Sequence, residues 1–476
     1  MSISNAVATA LSGLNVTARK AEIVSSNVSN ALTEGYGRRS VSVSSADLGG
    51  VRIDGVSRHV NEGVIRERRL AEAGLSAETL TSDILQELSL LFGEIGQDGA
   101  LSARFADLEQ ALVTATADPG SDVRLNLIVD QANAVTRALN ATSDGIQSLR
   151  MRAEREIATQ VEALNSGLTR IADLNADISR LMGQGLDPSS LMDQRQRAID
   201  DVARIVPLRE MPREHGQLAL MSPSGVMLLD GRPSEFGFTQ ATLIVPSLTV
   251  GPGGLSELTL NGTTITDGAG RLGGGTLGAA FALRDDILPE AQTKLDAIAR
   301  DMIARFSDPA TDPSLTPGTA GLFTDAGTSF DPADTAGIAG RIALNSVVDP
   351  EQGGSLSLLR DGLAATTPGP VGSTDQLNRW LEALRTPQTT HLATSVNSVA
   401  GHIGDLLADI GGLRVAVEKD LVYQTARFET LKEAELADGV DTDVELQSLL
   451  QIEQAYAANA KVLQTVDALM RTLMEL

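Results

Sequence analysis

The stretch SNVSNALTEGYGRRSV, residues 26–41, marks an abrupt change of structure in this sequence. A helical repeat of apolar residues enters the stretch from its N-terminal side and stops within it. Gly35-Tyr36-Gly37 and two arginines follow, and Val41 and Val43 then alternate with polar residues, which is typical of a strand. We therefore predict that a long amphipathic helix ends here and that a differently built segment begins.

Apolar residues recur at alternating spacings of four and three near both ends of the chain. Each repeat predicts a helix with one apolar side, and such a side needs a partner to cover it. The positions selected as a candidate assembly interface are Ile3, Val7, Leu14, Ala21, Val24 and Val28 in the N-terminal helix, and Leu449, Ile452, Tyr456, Asn459, Leu463, Val466, Met470 and Leu473 in the C-terminal helix. We predict that the two terminal helices pair as a coiled coil.

Asparagines interrupt the apolar positions of both terminal helices. Asn27 and Asn459 lie in or beside the repeats, where a polar residue costs stability but can fix the register and the number of partners. Asn30 is explained equally well by fraying of the helix end, because asparagine favours turns.

A third helical repeat runs from Leu392 to Leu431 and should end near Gly439. The next helix is expected to begin with Thr442 as its N-cap and with Glu445 three residues later, which is the spacing of a capping box. The sequence ELADGVDTDVEL, residues 435–446, therefore predicts a hinge between two long helices.

The middle of the chain contains two further kinds of pattern. Helical repeats predict helices over 58–92, 101–116, 122–150 and 152–183, short β-like runs separated by Gly and Pro follow Val206, and helix returns after Gly275. The predicted fold class is mainly α with β-rich insertions. Its parts are a terminal coiled-coil domain of 1–40 plus 440–476, a long-helix bundle body of 41–205 plus 276–306 plus 389–439, an inserted β-rich domain of 206–275, and a loop-rich or small β insertion of 307–388.

The composition narrows the possible functions. The 476 residues carry a formal net charge of −24, so the chain should repel nucleic acids and anionic membranes. The absence of cysteine excludes disulfides, thiolate nucleophiles and zinc–thiolate sites. No apolar run approaches the ~20 residues of a membrane span. The first residues lack the basic and apolar regions of a cleaved signal peptide, so any export is expected to use another route.

No residue pattern favours catalysis, metal binding or a cofactor. The histidines are far apart in the chain: His59, His215, His391 and His402. The acidic pairs Asp200-Asp201 and Asp285-Asp286 are interpreted as solvated surface, because adjacent residues of a helix do not face each other. GGGTLG, residues 273–278, matches a dinucleotide-binding pattern but lacks its βαβ context, so we interpret it as a turn.

Both ends of the chain resemble the terminal signatures of the bacterial flagellar rod, hook and hook-associated proteins. ALSGLNVTARKAEIVSSNVSNALTEGYGRRSV, residues 10–41, resembles their N-terminal signature, and GVDTDVELQSLLQIEQAYAANAKVLQTVDALMRTLMEL, residues 439–476, resembles their C-terminal signature. Ser29, Glu34 and Gly37 depart from the usual Ala, Pro and Ser or Thr. Glu34 leaves the turn less rigid than in the family, but Gly35 still supplies the break.

The region behind the first signature resembles the hook-associated protein 1 family, whose members form the first junction between hook and filament. GGVRIDGVSRHVNEGVIRERRLAEAGLSA, residues 49–77, leads into well over 100 residues predicted as helix, whereas hook proteins pass quickly into β structure. GGGTLGAAFALRDDILPEAQTKLDAIA, residues 273–299, is also similar to the segment by which that family returns to its helical body.

The resemblance implies a structural role and a set of partners. The terminal helices would line an inner tube and be disordered in the free monomer, with a hinge at Gly35, Tyr36, Gly37 and Gly439. The implied partners are a ring of like subunits, the hook protein, a second junction protein (hook-associated protein 3) and an export chaperone at the C-terminal helix. The implied location is extracellular, at the hook–filament junction.

Alternatives remain open from the residues alone. Within the family, the chain could be a hook or rod protein. From another class, it could be a surface enzyme carried on a flagellar scaffold, with its chemistry in 206–280 or 307–388. Arg38 and Arg39 are expected either to pair with acidic groups of neighbouring subunits or to form a solvated link.

Overall fold

The computed structural model describes residues 3–46, 49–93, 96–251, 254–265, 268–390 and 395–474. The helices are α1 Ile3–Ser29, α2 Glu62–Phe92, α3 Leu101–Thr116, α4 Asp122–Gly183, α5 Ser189–Ile205, α6 Gly268–Arg271, α7 Thr276–Ala282, α8 Leu288–Ser307, α9 Leu358–Asp361, α10 Asp375–Arg385, α11 Val399–Ala437 and α12 Thr442–Met474. The predicted class, long helices with small β units between them, is confirmed.

The β structure is confined to short antiparallel units. The strands are β1 Arg38–Ser45, β2 Val51–His59, β3 Arg209–Pro212, β4 Leu218–Met221, β5 Met227–Asp230, β6 Arg232–Pro233, β7 Phe236–Gly237, β8 Thr259–Leu260, β9 Thr263–Thr264, β10 Phe323–Asp325, β11 Ile342–Leu344, β12 Gln388–Thr389 and β13 Val396–Asn397. β3 to β6 form a four-stranded sheet in chain order and β7 to β9 a three-stranded one. The pairs β1–β2, β10–β11 and β12–β13 are hairpin-like.

Helix α4 connects two separate hydrophobic cores. It has 62 residues, which at ~1.5 Å per residue makes it about 93 Å long. Its buried side chains up to Ala153 pack in a first core with α3, α8 and the beginning of α11. From Ile157 onward they pack in a second core with α5, α7 and the four-stranded sheet. The β-rich stretch 206–275 therefore shares its core with the second half of α4.

The stretch 307–388 contributes to the first core, which the sequence analysis did not anticipate. Its Pro-, Gly- and Thr-rich composition predicted loops or a small β unit, but it contains α10 as well as the short pair β10–β11. Trp380 of α10 stacks on Phe306 with 5.3 Å between ring centroids, and Phe323 meets Phe306 edge-on at 5.1 Å. Trp380 also donates a hydrogen bond from Nε1 to the Leu359 carbonyl.

Three further expectations about the elements are corrected. The predicted break at 150–152 does not exist, because α4 continues through it. The predicted helix over 58–92 begins only at Glu62, since Val51–His59 pairs with β1 in a hairpin at the start of the region assigned to the helical body. The third helical repeat starts at Val399; Leu392 and His391 lie outside the described residues.

The GGGTLG run is a close crossing of two chain segments. An added Cβ at Gly275 would lie 2.4 Å from the carbonyl oxygen of Ile205, which leaves space only for glycine. Gly274 has φ +104°, and α7 begins at Thr276 directly after the run. The run thus serves as the turn that the sequence predicted.

A buried ion cluster explains why polar residues interrupt the apolar pattern of α4 near its middle. Glu154 and Arg284 are fully buried and lie 2.7 Å apart, between Oε2 and Nη1. The Asp285 carboxylate receives two further hydrogen bonds from Arg284, at 2.6 and 2.8 Å. Arg150 donates to the carbonyls of Arg284 and Leu248, at 3.2 and 2.8 Å. The cluster lies where the two cores meet.

We predict that Glu154→Ala lowers the free energy of unfolding by about 3–5 kcal/mol, because it leaves Arg284 with one fewer anionic partner in a site without solvent. The measurement is urea unfolding followed by circular dichroism. Glu162→Ala, at an exposed position of the same helix, is the matched control and should change stability by less than about 0.5 kcal/mol. Equal effects of the two substitutions would contradict the assignment.

Candidate assembly interface and hinge

Helices α1 and α12 pack against each other, as predicted for the two ends of the chain. Of the selected positions on α1, Val24 is buried and Val7, Leu14, Ala21 and Val28 are half-buried. On α12, Ile452 is buried, Asn459, Leu463 and Val466 are half-buried, and Leu449, Tyr456 and Met470 are exposed. The side chains of Ile3 and Leu473 lie outside the described set. The pairing therefore covers only part of the apolar surface of α12.

A glycine of α1 and an asparagine of α12 lie against each other where the two helices pack. An added Cβ at Gly13 would lie 2.8 Å from Nδ2 of Asn459 and 2.9 Å from its Oδ1. A side chain at residue 13 would displace this amide, so glycine allows the amide to lie directly against the backbone of α1. This fit agrees with the expectation that a polar residue in the apolar repeat fixes the register of the pair.

A second apolar stripe on α12 was missed in the sequence analysis. Ala455, Val462 and Leu469 recur every seven residues and so lie on one side of the helix. Ala455 is exposed, Val462 is 46% exposed and Leu469 is 53% exposed, so this stripe is largely uncovered. The repeat was visible in the sequence, but the longer and more regular stripe beside it obscured it.

Asn27 connects the end of α1 to the strand that follows. Its Oδ1 accepts hydrogen bonds from the Arg39 amide at 3.0 Å and from the Tyr36 hydroxyl at 2.9 Å, and its Nδ2 donates to the Arg39 carbonyl at 2.9 Å. The residue is only 1% exposed. These bonds fix the direction in which the chain leaves the terminal helix, a role that differs from the register role proposed for Asn27 from the sequence.

The carboxylate of Asp193, on α5, binds the hinge segment from the body side. Its Oδ1 accepts from the Gly37 amide at 3.0 Å and from Nε of Arg58 at 2.7 Å, and its Oδ2 contacts Nη2 of Arg39 at 2.5 Å. Gly35 has φ +74°, and an added Cβ there would lie 2.8 Å from Cγ of Arg197. The predicted hinge glycine is therefore required both by its backbone conformation and by close packing.

Both hinge arginines are paired within the chain, contrary to either expectation for them. Arg38 contacts Glu445 with 2.7 Å between Nε and Oε1, and Arg39 contacts Asp193 as described. Glu445 is thus not the second member of a capping box. The first turn of α12 is capped instead by Asp441, whose Oδ1 accepts from the amides of Asp443 and Val444 at 2.9 and 3.1 Å.

A second group of buried charges lies at the end of α11, close to the predicted hinge residue Gly439. Arg68 contacts Glu72 at 2.6 Å, Asp200 at 2.8 Å and Glu435 at 2.5 Å, which joins α2, α5 and the end of α11. Burial alone would lower the pKa of Arg68, but Asp200 and Glu435 outweigh this effect and raise it. Asp200 is buried, so its interpretation as solvated surface was wrong. No pattern in the sequence indicated that Arg68 would contact Asp200.

Other kinds of site find no support in the part of the chain that the structure describes. Within those residues no group of three or more His, Asp or Glu side chains is arranged to hold a metal ion. No described helix is both long and apolar enough to cross a membrane. His402 is buried and bonds to the Gln388 carbonyl at 2.8 Å.

We predict that Asp193→Asn loosens the hinge, because it removes the charge that Arg39 and Arg58 share. Amide hydrogen exchange over residues 35–40 should quicken by at least about tenfold. Asp201→Asn, on the exposed side of the same helix, is the matched control. Unchanged exchange in Asp193→Asn, or equal acceleration in both variants, would show that Asp193 does not hold the hinge.

Comparison with known protein families gives a flagellar match for each of three parts of the chain. Residues 85–312 match the flagellar hook-associated protein FlgK helical domain, residues 8–36 match the flagella basal body rod protein family, and residues 437–476 match the flagellar basal body rod FlgEFG protein C-terminal family. The three stretches lie in the order that the sequence signatures indicated, and together they cover more than half of the chain.

Whole-chain comparisons agree with these matches. The chain is 22% identical to flagellar hook-associated protein 1 of Escherichia coli K12 over an alignment of 560 positions, which covers all of both proteins. Its fold is similar to that of the flagellar hook junction protein FlgK from Burkholderia pseudomallei, with a TM-score of 0.60, 13% identity, and coverage of 78% of this chain and 99% of that one.

These matches decide among the functional alternatives. A structural role in the bacterial flagellum, and with it a place outside the cell and assembly with other flagellar proteins, is confirmed. None of the comparisons favours the enzyme alternative. The chain is therefore a relative of flagellar hook-associated protein 1, which it matches from end to end.

Proposed function

We propose that this chain joins the hook of the flagellum to its filament by assembling into a ring through its terminal helices. The observation that carries the proposal is the uncovered stripe of Ala455, Val462 and Leu469 on α12. The adjacent side of α12 is already occupied by α1 of the same chain. The relatives named above, a hook-associated protein and a hook junction protein, support the same place in the flagellum.

Assembly is driven by burial of the exposed apolar surface. A leucine or valine side chain contributes about 1.5–3 kcal/mol when it passes from full exposure to full burial. Val462 and Leu469 are about half exposed, so each retains part of this free energy for a contact between subunits. The selected positions Leu449, Tyr456 and Met470 are also exposed and add to the uncovered apolar surface of α12.

The proposed assembly uses a division of the chain into an inner and an outer part. Residues 1–40 and 440–476 form the inner terminal domain, and 41–205, 276–306 and 389–439 form the helical body. The stretches 206–275 and 307–388 are insertions in the chain order, and each packs on the helical body through one of the two cores. Gly35, Tyr36, Gly37 and Gly439 form the hinge, and the paired charges of Arg38 with Glu445 and of Arg68 with Asp200 support this assignment.

The partners follow from the junction role. Like subunits complete the ring, the hook protein lies on one side and the second junction protein, hook-associated protein 3, on the other. Before assembly an export chaperone covers the apolar surface of the C-terminal helix. The net charge of −24 disfavours nucleic acids and anionic membranes as partners.

We predict that Leu469→Asp prevents assembly and leaves the monomer folded, because a carboxylate without a partner is costly to bury at a subunit contact. The matched control is Gln464→Asp, which adds the same charge at an exposed polar position of the same helix. The readouts are circular dichroism of the monomer and the fraction of hooks that carry filaments in a strain expressing only the variant. Filaments on most hooks of the Leu469→Asp strain would overturn the proposed contact surface.

A companion substitution separates pairing within the chain from assembly between chains. Ile452 is buried between α12 and the rest of the chain, so Ile452→Asp should reduce the helical signal of the monomer as well as assembly. Loss of assembly in Leu469→Asp together with a normal monomer, and loss of both in Ile452→Asp, is the expected pattern.

A further inference from the structure

A cavity of about 430 Å³ lies behind the hinge, between β2, the first turns of α2, α5 and the β3–β4 edge of the inserted sheet. Five arginines line it, namely Arg58, Arg66, Arg69, Arg195 and Arg213. The acidic side chains in its wall are Glu62 and Glu210. A concentration of arginine is unexpected in a chain of net charge −24. Arg66 and Glu62 are exposed, so the cavity opens to solvent.

Most of these arginines are neutralised by carboxylates. Arg58 contacts Asp193 at 2.7 Å, and Arg213 contacts Asp230 at 2.9 Å. Arg69 contacts Asp200 at 2.5 Å and also Glu210. Arg195 differs from them: it is only 7% exposed, and no carboxylate of the described residues forms an ion pair with it. A buried cation without an anionic partner is costly, so its presence calls for an explanation.

The hydrogen bonds of Arg195 leave one edge of its guanidinium group unused. Nη1 donates to Oδ1 of Asn175 at 2.8 Å and to the Gly216 carbonyl at 2.7 Å. Among the described residues, neither Nε nor Nη2 has a hydrogen-bond acceptor. Nε and Nη2 together form the edge with which arginine binds a carboxylate or phosphate through two parallel hydrogen bonds.

The surroundings of Arg195 show that its charge is uncompensated. Burial, and after it repulsion from Arg58 and Arg69, lowers the pKa of Arg195 to about 10. The group still carries its charge at neutral pH. An anion beside Nε and Nη2 would offset the repulsion from Arg58 and Arg69. It would also accept the hydrogen bonds that Nε and Nη2 do not make within the chain.

We propose that this cavity binds an oxyanion, a carboxylate or phosphate group held side-on by Nε and Nη2 of Arg195 with Arg66 at the entrance. A carboxylate can come from an acidic side chain of a second copy, since the acidic residues of this chain number 62, or the group can belong to a free oxyanion in solution.

The test is calorimetric titration of the full-length protein, in chloride buffer of constant ionic strength, with sodium phosphate and separately with sodium glutarate. We expect one oxyanion to bind per chain, and Arg195→Gln to weaken binding by at least about tenfold. Arg195→Lys keeps the charge but loses the two-bond edge, so it should also weaken binding. Arg152→Gln, at an exposed ion pair with Glu87, is the control of equal charge change and should bind as the unaltered chain does.

The unaltered chain provides the decisive measurement even if a variant fails to fold. No binding of either oxyanion to it, or equal binding by Arg195→Gln and the control, would overturn the proposal. Sedimentation equilibrium then identifies the source. Self-association that phosphate reverses and Arg195→Gln lacks would assign the carboxylate to a second copy. Phosphate binding to a chain that stays monomeric at all concentrations would assign a free oxyanion.

Discussion

The contact of Asp193 with the hinge segment is the interaction on which the arrangement of the chain depends. One carboxylate receives the Gly37 amide, Arg39 and Arg58, and so fixes where the terminal helix meets the body. Asp200, two turns further along α5, receives Arg68, which also contacts Glu435 at the other hinge. A single helix of 17 residues thus binds the segment that follows α1 and, through Arg68, the last turn of α11.

Several arginines of the chain lie inside the structure. Arg68, Arg69, Arg284 and Arg305 are buried in contact with carboxylates, so their charges do not offset the acidic surface. Interactions of buried charges are screened by salt much less than those of exposed pairs. The hinge should therefore keep its geometry over a wide range of ionic strength, whereas exposed pairs such as Arg213 with Asp230 should weaken as salt rises.

The sequence predicted those features that depend on local pattern and failed where distant residues meet. Helix α3 matched its predicted limits of 101–116, because a regular apolar repeat lies between clear breaks. The false break near 150 arose since Arg150 and Glu154 are buried polar residues, which a periodicity argument interprets as a boundary. The predicted hinge glycines were recognised because the helical repeats stop directly beside them in the sequence. Asp193 was missed because it is 156 residues from Gly37. The cavity at Arg195 was missed because its lining residues come from segments that are far apart in the sequence.

The wide separation in sequence of the hinge contacts has a consequence for the order of folding. Arg38 and Glu445 are 407 residues apart, and Arg68 and Glu435 are 367 apart. Contacts between residues this far apart in the sequence carry the largest entropy cost of loop closure and therefore form late. In a chain that emerges N-terminus first, α2 and α5 can meet while Glu435 of α11 and Glu445 of α12 are still absent. Arg38 and part of the Arg68 environment then remain unneutralised until α11 and α12 arrive. The contacts of Arg38 with Glu445 and of Arg68 with Glu435 therefore close among the final steps of folding.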